Sequence, residues 1–214
     1  METLERVRTA RGELALRRDG DRYEIISNGV FLMDTSDGTS ERLLVDAAVG
    51  RCGSEAPGML IGGLGVGFSL RQAVTHAHLA AIDVIEIEPA IIGWHGEHFA
   101  GITGDAVADP RVRLVEGDAV TWLAGAAGRY DIVCLDTDNG PNWLVFDSNA
   151  GLYDEAGLEA AHASLRPGGV LAVWSAAPDE DFARRLESRF GSVETHEIAH
   201  PRGAPDLVYL ATAT

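Results

Sequence analysis

The chain has 214 residues, which is enough for one domain with a sizeable core and does not by itself require two. It carries 33 acidic and 17 basic residues, a formal net charge of -16, so no broad cationic surface is available for a phosphate backbone and we expect no nucleic-acid partner. The first twenty residues lack the apolar stretch of a secretory signal, and no segment approaches the roughly 20 apolar residues that span a bilayer. We therefore expect a cytoplasmic protein without membrane contact.

The first 50 residues differ in pattern from the rest of the chain. Between residues 13 and 34, short alternating runs are separated by Asp-Gly and Asn-Gly dipeptides, which are typical of tight hairpin turns. The segment that follows, "TSERLLVDAAVG", has apolar residues at helical spacing. The pattern predicts a small β extension and a helix over residues 1–50, followed by a main domain over residues 51–214.

From about residue 58 onward, short apolar runs alternate with segments long enough for helices. This alternation indicates an α/β domain with a parallel sheet covered on both faces. The last two apolar runs, "SVETHEIA" and "DLVYLATA", are joined by "HPRGAP", whose prolines and glycine are typical of a loop. We expect these runs to form an antiparallel hairpin at the end of the domain.

A glycine-rich turn follows the first of these runs, in "LIGGLGVGFSL". Gly62, Gly63, Gly65 and Gly67 lie between a predicted strand and a predicted helix, where the backbone can approach a ligand closely and free N–H groups face it. The spacing is GxGxG, whereas the dinucleotide fingerprint GxGxxG needs a glycine at Phe68, which disfavours a nicotinamide or flavin enzyme. The alternative is that these glycines only permit close packing.

Acidic residues end the next two predicted strands. In "VIEIEP", Glu86 or Glu88 can accept hydrogen bonds from the two hydroxyls of a ribose. Asp118, after "RLVEG", can accept a hydrogen bond from an exocyclic amino group such as that of adenine, or it can simply cap the helix that follows. The glycine turn and these acids together predict a site for a nucleoside-containing cofactor.

Six stretches in this order resemble the spermidine synthase-like family of the class I S-adenosylmethionine-dependent methyltransferase fold. The resemblance covers roughly residues 25 to 214, and its motifs are "LIGGLGVG", "VIEIEP", "DPRVRLVEGDAVTWL", "YDIVCLDTDNGP", "LVFDSNAGLY" and "LRPGGVLAVWS". It implies a Rossmann-like, seven-stranded, mostly parallel sheet with an antiparallel C-terminal hairpin, preceded by the small N-terminal β extension.

The resemblance also implies roles for individual residues. Glu86 matches the family's ribose-binding acid, and its neighbour Ile87 is assigned to the same cofactor site. Asp118 and Ala119 match the pair that contacts adenine. Asp136 matches the first acid of the family's Asp-Ser-Ser-Asp-Pro loop, which is credited with helping to deprotonate the attacking amine, so we assign it to both cofactor binding and catalysis.

The acceptor site is predicted from three residues. Asp138 is a second candidate catalytic and acceptor-binding acid, although it follows Asp136 by two residues where the family has a spacing of three. Trp143 offers an aromatic face for a cation, or it serves for packing or as a lid. Glu41 is the nearest acid to the family's Tyr-His-Glu segment, which has no counterpart here and makes putrescine a doubtful acceptor.

A further departure concerns the cofactor. Where the glycine loop of spermidine synthases has an Asp that holds the amine of decarboxylated S-adenosylmethionine, this chain has Gly65, so the ordinary cofactor should be tolerated. The leading hypothesis is therefore methyl transfer from S-adenosylmethionine to a small amine-bearing or cationic acceptor, without a metal.

Three alternatives stay open at this point. One is an aminopropyltransferase that uses decarboxylated S-adenosylmethionine to make polyamines. Another is transfer or cyclisation of the aminocarboxypropyl arm with release of methylthioadenosine. The third, of another class, is a non-catalytic cofactor-binding protein. The resemblance also makes a homodimer plausible.

Overall fold

The computed structural model describes residues 1–137, 139–199 and 204–214. The strands within these residues are β1 Glu2–Thr9, β2 Gly12–Asp19, β3 Arg22–Ser27, β4 Val30–Asp34, β5 Gly58–Gly62, β6 Ala81–Glu86, β7 Val112–Glu116, β8 Tyr130–Leu135, β9 Leu165–Ser175, β10 Val193–Ile198 and β11 Asp206–Thr212. The helices are α1 Thr39–Arg51, α2 Phe68–Thr75, α3 Pro89–Glu97, α4 Ala100–Thr103, α5 Ala119–Ala124, α6 Ala150–Tyr153, α7 Glu155–Ser164 and α8 Glu180–Phe190. Short 3-10 turns cover Ala106–Ala108 and Asp147–Asn149.

The N-terminal part is a four-stranded antiparallel sheet in the order β1-β2-β3-β4. Leu14, Leu16 and Ile25 are almost fully buried and belong to the same core cluster as the main sheet, so one face of the extension packs on the main domain. The sequence predicts β2, β3 and β4 but not β1. Within β1 only Leu4 and Val7 pack against the core, and the other side chains of this strand are charged or polar.

The main sheet has seven strands in the order β10-β11-β9-β8-β5-β6-β7. Strands β9, β8, β5, β6 and β7 are parallel, while β11 runs antiparallel to both β9 and β10. The predicted mostly parallel sheet with an antiparallel C-terminal hairpin is confirmed. On β5, Met59 and Ile61 join the core cluster of one face and Leu60 that of the other, because successive residues of a strand point to opposite faces.

The chain order places the ends of four parallel strands at one edge of this sheet. From β5 the chain adds β6 and then β7 on one side, and it later returns to pair β8 with β5 on the other side. The crevice at such a reversal point is where doubly wound sheets bind ligands. Gly62 at the end of β5 pairs with Ile85 and with Leu135, so the segments after β5, β6 and β8 meet there.

In the described part of the chain, no helix is long and apolar enough to cross a membrane. The predicted acceptor acid Asp138 lies outside the described residues. The boundary that we predict at residue 50 falls within α1.

Candidate active site

A cavity opens at the carboxyl edge of the main sheet, between that sheet and the N-terminal extension. Many of the predicted site residues line it: Glu41, Gly63, Gly65, Glu86, Ile87, Asp118, Ala119 and Asp136. Residues that the sequence analysis does not single out line it as well, notably Arg11, Leu32, Met33, Phe146, Asn149 and Trp174. The cavity therefore has one wall from the strand ends and another from the extension and from the segment after β8.

The glycine turn lies close to the neighbouring strand ends. Gly63 has a φ of +90°, and a Cβ there would collide with the backbone oxygen of Asp136. The N–H of Gly63 donates to the carbonyl of Ile85 at 2.9 Å, and the N–H of Asp136 donates to the carbonyl of Gly62 at 2.9 Å. Only glycine allows this approach at position 63, so the turn and Asp136 are held against each other.

Glu86 holds the turn from the other side. The N–H of Leu64 donates to Oε2 of Glu86 at 2.9 Å, and the N–H of Glu88 donates to Oε1 at 2.9 Å. Burial raises the pKa of this carboxyl, although the backbone donors favour its charged form. The predicted ribose acid is thus part of the framework of the loop as well as of the cavity wall.

Asp118 occupies the end of the cavity next to β7. Its Oδ1 accepts from the N–H of Val120 at 3.1 Å and its Oδ2 from the hydroxyl of Thr121 at 3.1 Å, so it caps helix α5. The capping role that the sequence leaves open as an alternative is therefore present. Ala119 follows it in the cavity wall.

Asp136 and Glu41 bring two carboxyl groups together in this cavity. Burial raises the pKa of Asp136 to about 6, even though the hydroxyl of Ser69 donates to its Oδ2 at 2.7 Å. Burial, and after it the nearby charge of Asp136, raises the pKa of Glu41 to about 7. Because the charge of Asp136 contributes to the raised pKa of Glu41, ionising both carboxyls at once is disfavoured near neutral pH.

Gly65 and Met33 show how the extension fills the cavity. Gly65 has a φ of +50°, and a Cβ on it would lie 2.5 Å from the sulfur of Met33. The space that an acid would need at position 65 is therefore taken by a thioether from β4. No sequence pattern indicates this contact, because it joins the turn after β5 to a strand of the N-terminal sheet.

His95 supports the same loop from behind. Its Nε2 lies 2.8 Å from the carbonyl oxygen of Gly65, a contact that requires the proton on Nε2. The side chain is buried, and burial lowers its pKa, so it is neutral at pH 7. A Cβ on Gly67 would contact the ring, so Gly67 lies behind the cavity wall, as does Gly62 at the end of β5.

Trp143 lies outside the cavity lining and is 59% exposed. Phe146, three residues later, lines the cavity instead. The role that we predict for Trp143 in binding the acceptor is thus not supported by its position. A single aromatic in "DNGPNWLVFD" could not be chosen from the sequence, because the path of the segment after β8 is not encoded in a local pattern.

Potential metal ligands in the described residues meet away from this cavity. Glu5, Glu97 and His98 have ligand atoms within 4.8 Å of one another, and Glu5 already contacts the imidazole of His98 at 2.5 Å. These groups join β1 to α3 and need no ion to explain them. The absence of a metal requirement stays a prediction.

Similar solved structures include a spermidine synthase in complex with the transition-state analogue AdoDATO. It matches with a TM-score of 0.85 and 16% identity, covering 100% of this chain and 74% of that chain. The spermidine synthase from Thermotoga maritima matches with a TM-score of 0.79 and 15% identity, covering 100% of this chain and 73% of that chain. At these identities the likeness concerns the fold alone.

Among curated relatives, a polyamine aminopropyltransferase 2 of Pseudomonas aeruginosa is 27% identical over 192 residues, which are 85% of this chain and 53% of that protein. A putrescine N-methyltransferase 3 of Nicotiana tabacum is 32% identical over 116 residues, covering 53% of this chain and 28% of that protein. The matched part of this chain thus spans about half the length of the aminopropyltransferase and less than a third of the length of the N-methyltransferase. The sequence model of the spermine/spermidine synthase domain matches residues 49–183, so the chain belongs to the spermine/spermidine synthase domain family.

Proposed function

We propose that this chain transfers a group from an adenosyl sulfonium cofactor to a small amine, and that the group is an aminopropyl arm from decarboxylated S-adenosylmethionine. Residues 51–214 supply the cofactor wall in this proposal, and residues 1–50 supply Met33 and Glu41 on the acceptor side. The proposal rests above all on the carboxyl pair of Glu41 and Asp136 in a cavity that also contains the glycine turn.

The groups that line the cavity fit such a ligand chemically. Buried carboxyls without a basic partner are costly, and a cationic ligand relieves that cost by neutralising them. Asp118 retains acceptor capacity for an exocyclic amino group, because each of its oxygens has more than one lone pair. Gly63 and Gly65 present backbone rather than side chains to the cavity. The charge in the cavity therefore matches a sulfonium and an ammonium together.

When bound, the cofactor would supply an electrophilic carbon next to its sulfur, which leaves as a neutral thioether. The protein's task is to hold the amine in line with that carbon and to take its proton. Asp136 is held by Ser69 and by the backbone of Gly62, which keeps its carboxylate in a fixed place. With a pKa of about 6, it is largely ionised at pH 7 and basic enough to accept a proton.

Aminopropyl transfer is placed ahead of methyl transfer on the strength of the relatives. The family is that of spermine and spermidine synthases, and the relative covering the largest share of this chain among those described above is called an aminopropyltransferase. This favours the alternative of the sequence analysis over its leading hypothesis. Methyl transfer stays the second candidate because Met33 occupies the space for an acid at Gly65, and because putrescine N-methyltransferases are also relatives.

The experiment that tests the proposal identifies the nucleoside product. The purified protein is incubated with S-adenosylmethionine or with its decarboxylated form, together with a pool of monoamines and diamines, and products are identified by mass spectrometry. Methylthioadenosine from the decarboxylated cofactor, with an amine heavier by one aminopropyl group, is the expected result. Asp136→Asn should lower its yield by about 10²–10⁴-fold. Asp105→Asn, which changes an exposed acid outside the cavity lining, should leave it unchanged.

Other products would point elsewhere. S-adenosylhomocysteine from the ordinary cofactor would establish methyl transfer instead. Methylthioadenosine from the ordinary cofactor would indicate movement or cyclisation of the aminocarboxypropyl arm. A cofactor that binds to the wild type and is never consumed would favour the non-catalytic binding protein.

A further inference from the structure

Trp174 lies at the end of β9, next to the strand that leads to Asp136. Strands β8 and β9 are parallel, and Leu135 of β8 pairs with Val173 of β9. The residues that follow this pair are Asp136 and Trp174, and both line the cavity. The indole is therefore a neighbour of the carboxyl group that we propose as the proton acceptor.

The order of the strands assigns this end of the cavity to the amine. In the proposed function, adenine lies at Asp118 after β7 and the cofactor sulfur lies beside the glycine turn after β5. Strands β8 and β9 follow on the other side of β5. A ligand that extends from the sulfur past Asp136 therefore meets the end of β9 and Trp174 next.

The indole of Trp174 has an unused hydrogen-bond donor. Its Nε1 is buried and has no hydrogen-bond partner among the residues that the structure describes. By contrast, Nε1 of Trp122, outside the cavity lining, donates to the hydroxyl of Tyr130 at 2.8 Å. A buried N–H without an acceptor costs about 1–3 kcal/mol, and nearly all such groups in folded proteins have a partner. Since Trp174 lines a ligand cavity, we expect a bound ligand to supply the missing acceptor.

The charged groups on this side of the cavity suit a single ammonium group. The carboxyls of Glu41 and Asp136 lie close to each other and form one acidic site. The other acids in the described cavity lining lie at or after the ends of β6 and β7, and they are Glu86, Glu88 and Asp118. Leu32 and Met33 of the N-terminal sheet line the cavity and pack, as Trp174 does, against one core cluster. The part of the acceptor beyond its amine thus meets apolar groups and one N–H donor.

We propose that the acceptor is an amine with one ammonium group and an uncharged oxygen, as in an amino alcohol, and that this oxygen accepts a hydrogen bond from the indole N–H of Trp174. An oxygen provides the lone pair that the N–H lacks. A second ammonium group has only donors, so it would lose its hydration without gaining a partner there. Trp174 is then a residue that determines acceptor specificity. The inference rests on the proposed function, because it takes the ligand beside Asp136 to be the amine acceptor.

Calorimetric titration of amines into protein saturated with 5′-methylthioadenosine tests this inference. The ligands are 4-amino-1-butanol, 1,4-diaminobutane and 1-aminopentane, which share one amine and a chain of equal length and differ in the terminal hydroxyl, ammonium or methyl group. The wild type should bind the amino alcohol about threefold to tenfold more tightly than either of the other two. Trp174→Phe keeps an aromatic ring but loses the N–H, so it should lose this preference. Trp122→Phe is the matched control, because it removes an indole N–H whose partner lies outside the cavity lining, and it should keep the preference.

Failure of the proposed function and failure of this inference give different results. If the wild type binds no 5′-methylthioadenosine, or none of the three amines, the proposed function fails and this inference fails with it. If the wild type binds the diamine or the alkylamine at least as tightly as the amino alcohol, the inference alone is overturned. It is also overturned if Trp174→Phe prefers the amino alcohol as strongly as Trp122→Phe does. Wild-type affinity of Trp174→Phe for 1-aminopentane shows that the site of this variant is correctly folded.

Discussion

Replacing Glu41 by Gln should stabilise the protein at alkaline pH while impairing its activity. Burial and the charge of Asp136 raise the pKa of Glu41 from 4.5 to about 7, so the folded state prefers the neutral carboxyl. The stability that this preference provides is present below the unfolded pKa and is lost as the pH rises through the folded pKa. At pH 8 the ionised Glu41 destabilises the folded state, and the neutral amide of Gln removes that penalty.

The size of the effect follows from the two pKa values. For a carboxyl whose pKa moves from 4.5 to about 7, the penalty is about 3 kcal/mol at pH 8 and roughly half of that at pH 5.5. For a chain of this size, 3 kcal/mol corresponds to a rise in melting temperature of about 6–12 °C. The gain of the variant should thus grow with pH.

Urea unfolding of Glu41→Gln and the wild type at pH 5.5 and pH 8 measures this gain. Glu55→Gln is the matched control, because Glu55 is exposed and its replacement should change stability at neither pH. Turnover of amine should fall in Glu41→Gln, as expected when an active-site acid is destabilising. A variant no more stable than the wild type at pH 8, or equally stabilised at both pH values, would refute a buried Glu41 carboxyl beside Asp136.

Three further predictions concern Asp136 and the glycine turn beside it. Asp136→Asn should lower turnover by about 10²–10⁴-fold in steady-state kinetics, with nucleoside binding retained. The wild-type rate should increase with pH between about 6 and 7, because the carboxyls that accept the proton ionise in that range. A rate independent of pH over that range would contradict this role. Gly63→Ala should destabilise the fold and weaken nucleoside binding, because its Cβ would collide with the backbone of Asp136. Chemical unfolding measures the stability and calorimetry the binding, and no change in either would contradict this close contact. His95→Leu should lower the free energy of unfolding by about 1–3 kcal/mol through loss of the bond to Gly65, with partial recovery in His95→Gln and no effect in the exposed control His78→Leu.

Most of the cavity residues that the sequence identifies lie at the ends of strands or in the glycine turn, and Glu41 on α1 is the exception. A parallel sheet brings the carboxyl ends of its strands to one edge, so Glu86, Asp118 and Asp136 could be expected to lie around the glycine turn before any coordinates were known. Their motifs are short and local. The alternation of elements predicts the parallel sheet and the terminal hairpin, and the family resemblance supplies the seven strands, so the fold is predicted correctly.

What the sequence does not reveal depends on contacts between distant segments. Arg11 and Met33 enter the cavity because the N-terminal sheet packs across the strand ends, and nothing in their neighbours indicates a ligand. Strand β1 escapes prediction because it lies at a sheet edge and buries few apolar side chains. Phe146 rather than Trp143 lines the cavity because the path of an irregular segment is set by what it packs against.

A crystal structure of the protein with 5′-methylthioadenosine and a small amine would test the central claim most directly. We expect adenine at Asp118, the thioether sulfur beside the glycine turn, and the amine nitrogen within about 3 Å of the carboxylate of Asp136, with Glu41 next to it. A nucleoside bound away from the strand ends, or an amine bound away from both carboxyls, would contradict it.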